Sequence, residues 1–98
     1  MLILKTLLRG GPLHGFEIAN SIQQTSLDVL RVEEGSLYPA LQRMLVAGWI
    51  EGEWGKTDEN RRARYYHLTA EGRRRLDQEL ERYERVVRAI ARVLEPAS

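Results

Sequence analysis

Apolar side chains recur every three or four residues in three stretches of the first half of the chain, which is the spacing of an amphipathic helix. The pattern predicts helices over residues 2–9, 15–24 and 35–46. The Gly-Gly-Pro run at 10–12 should end the first helix, and Gly48 should end the third. Residues 25–32 show no clear period, so we expect them to connect the second helix to the third.

The apolar positions of the second and third helices define the expected core. The stripes comprise Phe16, Ile18, Ala19 and Ile22 in the second helix, and Leu37, Leu41, Met44 and Leu45 in the third. We expect both stripes to face inward. Pro39 should lie in or near the first turn of the third helix, where its missing N–H costs little.

The second half of the chain predicts a β-hairpin and a long helix. Residues 49–54 and 62–68 are rich in strand-forming side chains, and residues 55–60 between them have the composition of a turn. The alternation is imperfect, so either Tyr65 or Tyr66 could face the core. Thr69 is expected to cap the N-terminus of the last helix.

Apolar positions in the last helix follow the 4-3-4-3-4 spacing of a coiled-coil seam. They are Leu76, Leu80, Tyr83, Val87, Ile90 and Leu94. At 1.5 Å per residue, residues 69–94 would extend about 39 Å, which is longer than a three-helix core could cover. We therefore expect part of this seam to pack against a second copy of the chain, and all six residues, Leu76 included, are the candidate dimerisation residues.

The order of these elements is that of a winged helix-turn-helix with an added C-terminal helix. The expected fold class is mainly α with a small β-hairpin. Residues 1–68 should form the winged helix-turn-helix part and residues 69–98 a C-terminal dimerisation helix. A chain of 98 residues without cysteine is long enough for one domain and cannot contain a disulfide. The apolar start is too short to span a membrane, and we expect a cytoplasmic protein.

Positive charge is concentrated in one segment rather than spread over the chain. The whole chain has 15 basic and 14 acidic side chains, a net charge of +1. Residues 55–75 hold seven basic against three acidic side chains, so this segment is locally +4 and the remainder is −3. Such a patch is typical of a nucleic-acid binder, although a solvated surface would also carry charge.

Four sequence blocks carry a resemblance to the PadR family of bacterial transcriptional regulators, in its short form with a single C-terminal helix. The blocks are PLHGFEI at 12–18, EGSLYPAL at 34–41, GWIEGEW at 48–54 and RRARYYHLT at 61–69, with Gly72 after the last. The resemblance implies that the third helix enters the major groove of DNA, that the hairpin wing touches the flanking backbone or minor groove, and that the last helix builds a homodimer. The implied function is a repressor of a pseudo-palindromic operator in double-stranded DNA, with no enzymatic activity.

The resemblance assigns roles to particular side chains. The DNA-facing side of the third helix would carry Ser36, Tyr38, Pro39, Gln42 and Arg43, and the phosphate contacts of the wing would come from Lys56, Arg61, Arg62 and Arg64. The one-turn spacing of positions 38 and 42, and of 39 and 43, independently places them on a face away from the leucines. The acidic tip at 58–59 should direct DNA to the arginine-bearing flank. His14 would lie at an exposed start of the second helix, where a phosphate contact is possible.

Other interpretations of the same residues stay open. The third helix could have an ordinary solvent-facing surface, and a winged helix could bind a protein instead of DNA. Family members can bind aromatic drugs or phenolic acids near the dimer interface, so Trp49 and Trp54 could bind a small aromatic effector. A dimeric small-molecule carrier that uses these tryptophans is a further alternative. Arg73, Arg74 and Arg75 are expected first to form a solvated helix face and only second to contact the DNA backbone. No metal, cofactor or membrane contact is expected, since two distant histidines make no persuasive metal site.

Overall fold

The computed structural model describes residues 1–96 as a helical core with a small sheet and one long projecting helix. Its elements are α1 (Leu2–Gly10), β1 (Leu13–His14), α2 (Gly15–Thr25), α3 (Glu34–Ala47), β2 (Ile50–Lys56), β3 (Arg62–Leu68) and α4 (Ala70–Leu94). The predicted fold class and element order are confirmed. The expected C-terminal segment also included residues 97 and 98, which lie outside the described part.

The sheet contains one strand more than the predicted hairpin. Its order is β1-β3-β2, with both pairs antiparallel. In the register, Ile50 is opposite Leu68 and Lys56 is opposite Arg62. Tyr66 is buried in the core, whereas Tyr65 points to the other face and its hydroxyl donates to the Lys56 carbonyl oxygen at 3.2 Å.

The core is built from all four helices and the sheet. Its buried members are Ile3, Leu4, Leu7, Ile18, Ile22, Leu37, Leu41, Ile50, Tyr66 and Leu76. The expectation that Phe16 belongs to this core is wrong, because its side chain is 72% exposed. Phe16 lies in the first turn of α2, next to the buried Gly15, and the inward stripe begins only at Ile18.

The start of α4 is fixed against the start of β2. The backbone N–H of Gly72 donates to the Thr69 hydroxyl at 3.0 Å, which confirms Thr69 as the N-cap. The same hydroxyl donates to the Gly48 carbonyl oxygen at 2.7 Å, and the Thr69 N–H donates to the Trp49 carbonyl oxygen at 3.1 Å. Gly72 is buried so closely against this strand that a Cβ there would overlap the Trp49 carbonyl oxygen.

The apolar seam of α4 divides into two parts with different surroundings. Leu76 is fully buried in the core of its own protomer and Leu80 packs against that core, so the expectation that Leu76 contacts a partner is wrong. The remaining seam residues Tyr83, Val87, Ile90 and Leu94 are exposed, together with Val86 and Val93. This distal part of α4 gives the molecule its elongated dimensions of 60 × 29 × 22 Å.

An ion-pair network joins α4 to the start of α1. The Glu79 carboxylate lies 2.9 Å from the α-amino group of Met1 and 2.8 Å from the Arg75 Nε. Burial raises the pKa of Glu79, but hydrogen bonds and the positive charges of these two partners outweigh it, so the pKa is lowered from its ordinary value. Within residues 1–96, no helix is long and apolar enough to cross a membrane.

Candidate nucleic-acid interface

The solvent-facing side of α3 carries the five side chains that the sequence assigned to DNA. Ser36, Tyr38, Pro39, Gln42 and Arg43 are all exposed, whereas Leu37 and Leu41 are buried beneath them. The predicted division of α3 into a leucine ridge and an outer face is therefore confirmed, while the DNA contacts themselves stay a prediction. Val46 was missed: it is 81% exposed and lies one turn after Gln42, a spacing that the sequence already contained.

The first turns of α3 leave backbone groups free. Glu33 is the N-cap residue, but its side chain makes no capping hydrogen bond. Pro39 is the sixth residue of the helix and lies in the second turn, close to the position in or near the first turn that the sequence pattern predicted. Because proline has no N–H, the Gly35 carbonyl oxygen lacks its usual helical donor. Free N–H groups at the N-terminus of α3 can receive a phosphate oxygen.

His14 differs from its prediction as an exposed residue. Its side chain is only 17% exposed and caps α2, since the Nδ1 accepts from the Glu17 N–H at 3.3 Å. The Glu17 carboxylate in turn accepts from the His14 backbone N–H at 3.1 Å, which completes a capping box. The imidazole also packs edge-on against Tyr65, with 5.4 Å between the ring centroids. The exposed imidazole expected at this position is therefore wrong, because the ring is occupied in fixing the start of α2.

One face of the β2–β3 hairpin carries three of the four predicted basic residues. Directly opposed residues project on the same face, so the pairs Lys56–Arg62 and Trp54–Arg64 share one side. The Cζ of Arg62 lies 4.3 Å from the centroid of the exposed Trp54 ring. We call this surface, formed by Trp54, Lys56, Arg62 and Arg64, the wing face.

Arg64 is not freely exposed like Arg62. It is half-buried, with its Cζ 5.8 Å from the Tyr66 ring centroid. Its Nε is buried without a hydrogen-bond acceptor. The side chain lies across Gly52, where an added Cβ would be 2.5 Å from that Nε. The absence of a side chain at Gly52 therefore makes room for Arg64 on the wing face.

The tip of the hairpin is closed by its own hydrogen bonds and charges. Thr57 and Arg61 are joined by hydrogen bonds from the Thr57 N–H to the Arg61 carbonyl and from the Arg61 N–H to the Thr57 hydroxyl. The Arg61 Nε lies 3.7 Å from a Glu59 carboxylate oxygen. Arg61 is thus partly neutralised by the acidic tip, and it precedes the first paired residue of β3, Arg62.

Fewer residues of the basic segment 55–75 carry unpaired positive charge once ion pairs are taken into account. Arg73, Arg74 and Arg75 pair with Asp77, Glu71 and Glu79 along α4 and are exposed, in agreement with a solvated helix face. Within the described residues, Lys56, Arg62 and Arg64 form no ion pair. Within the basic segment 55–75, the positive charge that is free of ion pairs therefore lies on the wing face.

The two tryptophans lie against different arginines. Trp54 lies under Arg62 on the wing, whereas Trp49 packs against the core and lies 4.8 Å from the Cζ of Arg75 on α4. They do not form a joint aromatic surface, and the effector-binding role stays a prediction. In residues 1–96, no group of three or more His, Asp or Glu side chains could hold a metal ion.

The helical core, the exposed face of α3 and the basic hairpin define a winged helix-turn-helix protein with a C-terminal helix. The sequence profile of the transcriptional regulator PadR-like family matches residues 3–78. The chain belongs to this family of transcriptional regulators. Membership confirms both the predicted family and the prediction that the protein is not an enzyme.

Solved structures resemble the chain over nearly its whole length. A transcriptional regulator from Clostridium thermocellum is 28% identical with a TM-score of 0.86, covering 96% of this chain and 90% of that one. A PadR-like regulator from Bacillus cereus is 25% identical with a TM-score of 0.80, covering 97% and 89%. Bacillus subtilis PadR in complex with operator DNA is 24% identical with a TM-score of 0.70, covering 81% and 44%, and at this identity the likeness concerns the fold. No match was found among curated proteins.

Proposed function

We propose that the protein is a repressor that binds a pseudo-palindromic operator in double-stranded DNA as a homodimer. The observation that carries the proposal is the presence of two exposed surfaces with different chemistry. The α3 face offers Gln42 and Arg43, whose side chains are suited to the edges of adenine and guanine in the major groove. The wing face offers positive charge to the phosphate backbone.

The arrangement of charge on the wing supports a phosphate partner. Lys56 and Arg62 are directly opposite each other across the strands. Like charges in this position destabilise a hairpin, and neither side chain has an ion-pair partner among the described residues. A phosphate group close to both would remove the repulsion and gain charge-assisted hydrogen bonds. The charge arrangement of the wing thus favours binding of a polyanion over exposure to water.

The exposed apolar stripe of α4 supports a homodimer. Its residues are Tyr83, Val86, Val87, Ile90, Val93 and Leu94. They lie beyond the part of α4 that the protomer core covers, and they follow the spacing of a helix that packs against another helix. A second copy of α4 would cover them symmetrically. A two-fold dimer would present two α3 faces, which should bind half-sites whose centres lie about 34–36 Å apart.

The structure of Bacillus subtilis PadR with operator DNA supports the proposal by analogy, since that protein shares the fold of this chain. The test is binding of the purified protein to labelled upstream DNA of its own operon, measured by fluorescence anisotropy over a range of salt concentrations. Specific binding should exceed binding to a scrambled duplex, and the protein should sediment as a dimer. A folded dimer that binds no upstream DNA at low salt would exclude the proposal.

Two variants distinguish sequence-independent DNA affinity from sequence specificity. Arg62→Ala should weaken binding to all sequences and reduce the slope of log K against log salt by about one. Gln42→Ala should cost about 1–3 kcal/mol only at operators that carry its preferred base pair. Arg85→Ala removes the same charge from the distal half of α4 and serves as the control, with an unchanged salt slope expected.

A further inference from the structure

Trp54 is a large aromatic side chain that is exposed rather than packed in the core. Its side chain is 61% exposed and lies on the wing face, directly opposite Arg64. The core contacts of the sheet are made by Ile50, Tyr66 and Leu68 at the other end of the hairpin. The close contact of the indole that the structure shows is with the Arg62 guanidinium, whose Cζ lies 4.3 Å from the ring centroid.

The groups around Arg62 can influence the direction of its side chain. Lys56 lies opposite Arg62 and repels it, and no carboxylate within residues 1–96 forms an ion pair with it. Arg61, the adjacent residue, illustrates the alternative, because it turns to Glu59 at the acidic tip. The π face of Trp54 attracts a cation without occupying a hydrogen-bond acceptor. The guanidinium is therefore held on the wing face while its N–H donors remain available to a phosphate.

We infer that Trp54 is a positioning residue of the wing, which holds the Arg62 guanidinium in the direction from which it contacts a DNA phosphate. The inference rests on the proposed DNA-binding function and adds a residue to it. A side chain that is ordered before binding loses less conformational freedom in the complex, an effect of about two- to tenfold in affinity for one long side chain. Trp54 thus strengthens DNA binding through Arg62.

The test compares operator affinities of the full chain in a double-mutant cycle. Trp54→Leu keeps an apolar side chain but removes the π face, Trp54→Phe keeps a π face, and each is made with and without Arg62→Ala. Trp54→Leu should weaken binding about two- to tenfold with an unchanged salt slope, because all charges remain. Trp54→Phe should recover most of the affinity. In the Arg62→Ala background, Trp54→Leu should have no further effect.

Several results would overturn the inference. An equal loss from Trp54→Leu in the presence and absence of Arg62 would mean that the indole contacts DNA directly or acts on the fold. Equal losses for Trp54→Leu and Trp54→Phe would exclude a role for the π face. Thermal denaturation of each variant controls for folding. If the wild-type protein binds but the cycle is additive, only the role of Trp54 fails, whereas a wild-type protein that binds no operator removes the proposed function as well.

Discussion

Leu76 and Ile90 lie on the same apolar stripe of α4, but replacing them with alanine should have different consequences. Leu76 is fully buried in the core of its protomer, whereas Ile90 is 52% exposed on the distal part of the helix. Leu76→Ala leaves a cavity in the core and should lower the free energy of unfolding by about 2–5 kcal/mol. This is a large part of the roughly 5–15 kcal/mol typical of a domain, and the loss should appear at every protein concentration.

Ile90→Ala should act on dimerisation instead. Complete burial of an isoleucine side chain contributes about 1.5–3 kcal/mol, and about half of that area remains for a partner to cover. Each Ile90 would then contribute about 1 kcal/mol to the interface, or about 2 kcal/mol for the two copies in a symmetric dimer. The dimer Kd should rise about thirtyfold, with little change in the unfolding of the monomer.

Sedimentation equilibrium gives the dimer Kd, and urea denaturation at several protein concentrations gives the free energy of unfolding. For Leu76→Ala the denaturation midpoint should fall by a similar amount at all concentrations. For Ile90→Ala the midpoint should fall only at concentrations where the wild-type protein is dimeric, and it should depend less on concentration, because a weaker dimer adds less stability to the folded chain. A Leu76→Ala variant of wild-type stability would refute its place in the core. An unchanged dimer Kd for Ile90→Ala would show that the distal stripe of α4 is not the dimer surface.

Two further predictions concern how α4 is attached to the rest of the protomer. Gly72→Ala places a methyl group against the Trp49 carbonyl oxygen and should destabilise the protein by about 1–3 kcal/mol. The control is Gly35→Ala, which has open space around it in α3 and should stabilise the protein by about 0.5–1 kcal/mol. Equal melting temperatures for the two variants would contradict the close contact at Gly72. Glu79→Gln should cost about 1 kcal/mol at neutral pH by weakening the contacts with Met1 and Arg75. The pKa of Glu79 is lowered in the folded state, so the stability difference between wild type and Glu79→Gln should be complete above the ordinary pKa of 4.5. It should disappear as the pH falls through the lower folded-state pKa. A stability difference that does not change with pH in urea denaturation would disprove the role of these ion pairs.

The parts of the fold that depend on local sequence could be predicted. The helices, the hairpin and the Thr69 cap follow from periodicity, turn composition and a side chain that bonds to a backbone group three residues away. The two-residue strand β1 could not be predicted, because it exists only through its pairing with β3. The resemblance to relatives supplied the function, and the structure then showed that the predicted α3 residues share an exposed face.

Periodicity identifies an apolar face but does not tell what covers it. Leu76 and Ile90 have the same place in the seam, yet one is covered by the protomer and the other is open. Phe16 fits the period of α2 and is nevertheless exposed. In the same way, the charge count could not separate Arg62 from Arg64, because the half-buried position of Arg64 depends on Gly52 in the neighbouring strand.

Three elements of the proposed DNA-binding unit meet at a single junction. Gly48 ends α3 in the left-handed conformation, with φ 79°, and accepts a hydrogen bond from the Thr69 side chain at the start of α4. Trp49 leads into β2, and its carbonyl oxygen accepts from the Thr69 N–H and packs against Gly72. The end of α3, the base of the wing and the first turn of α4 are therefore joined by hydrogen bonds and close packing. In the proposed dimer, the pairing of two α4 helices would thus fix the separation and the angle of the two α3 faces, so that operator spacing depends on this junction as well as on the residues that touch DNA.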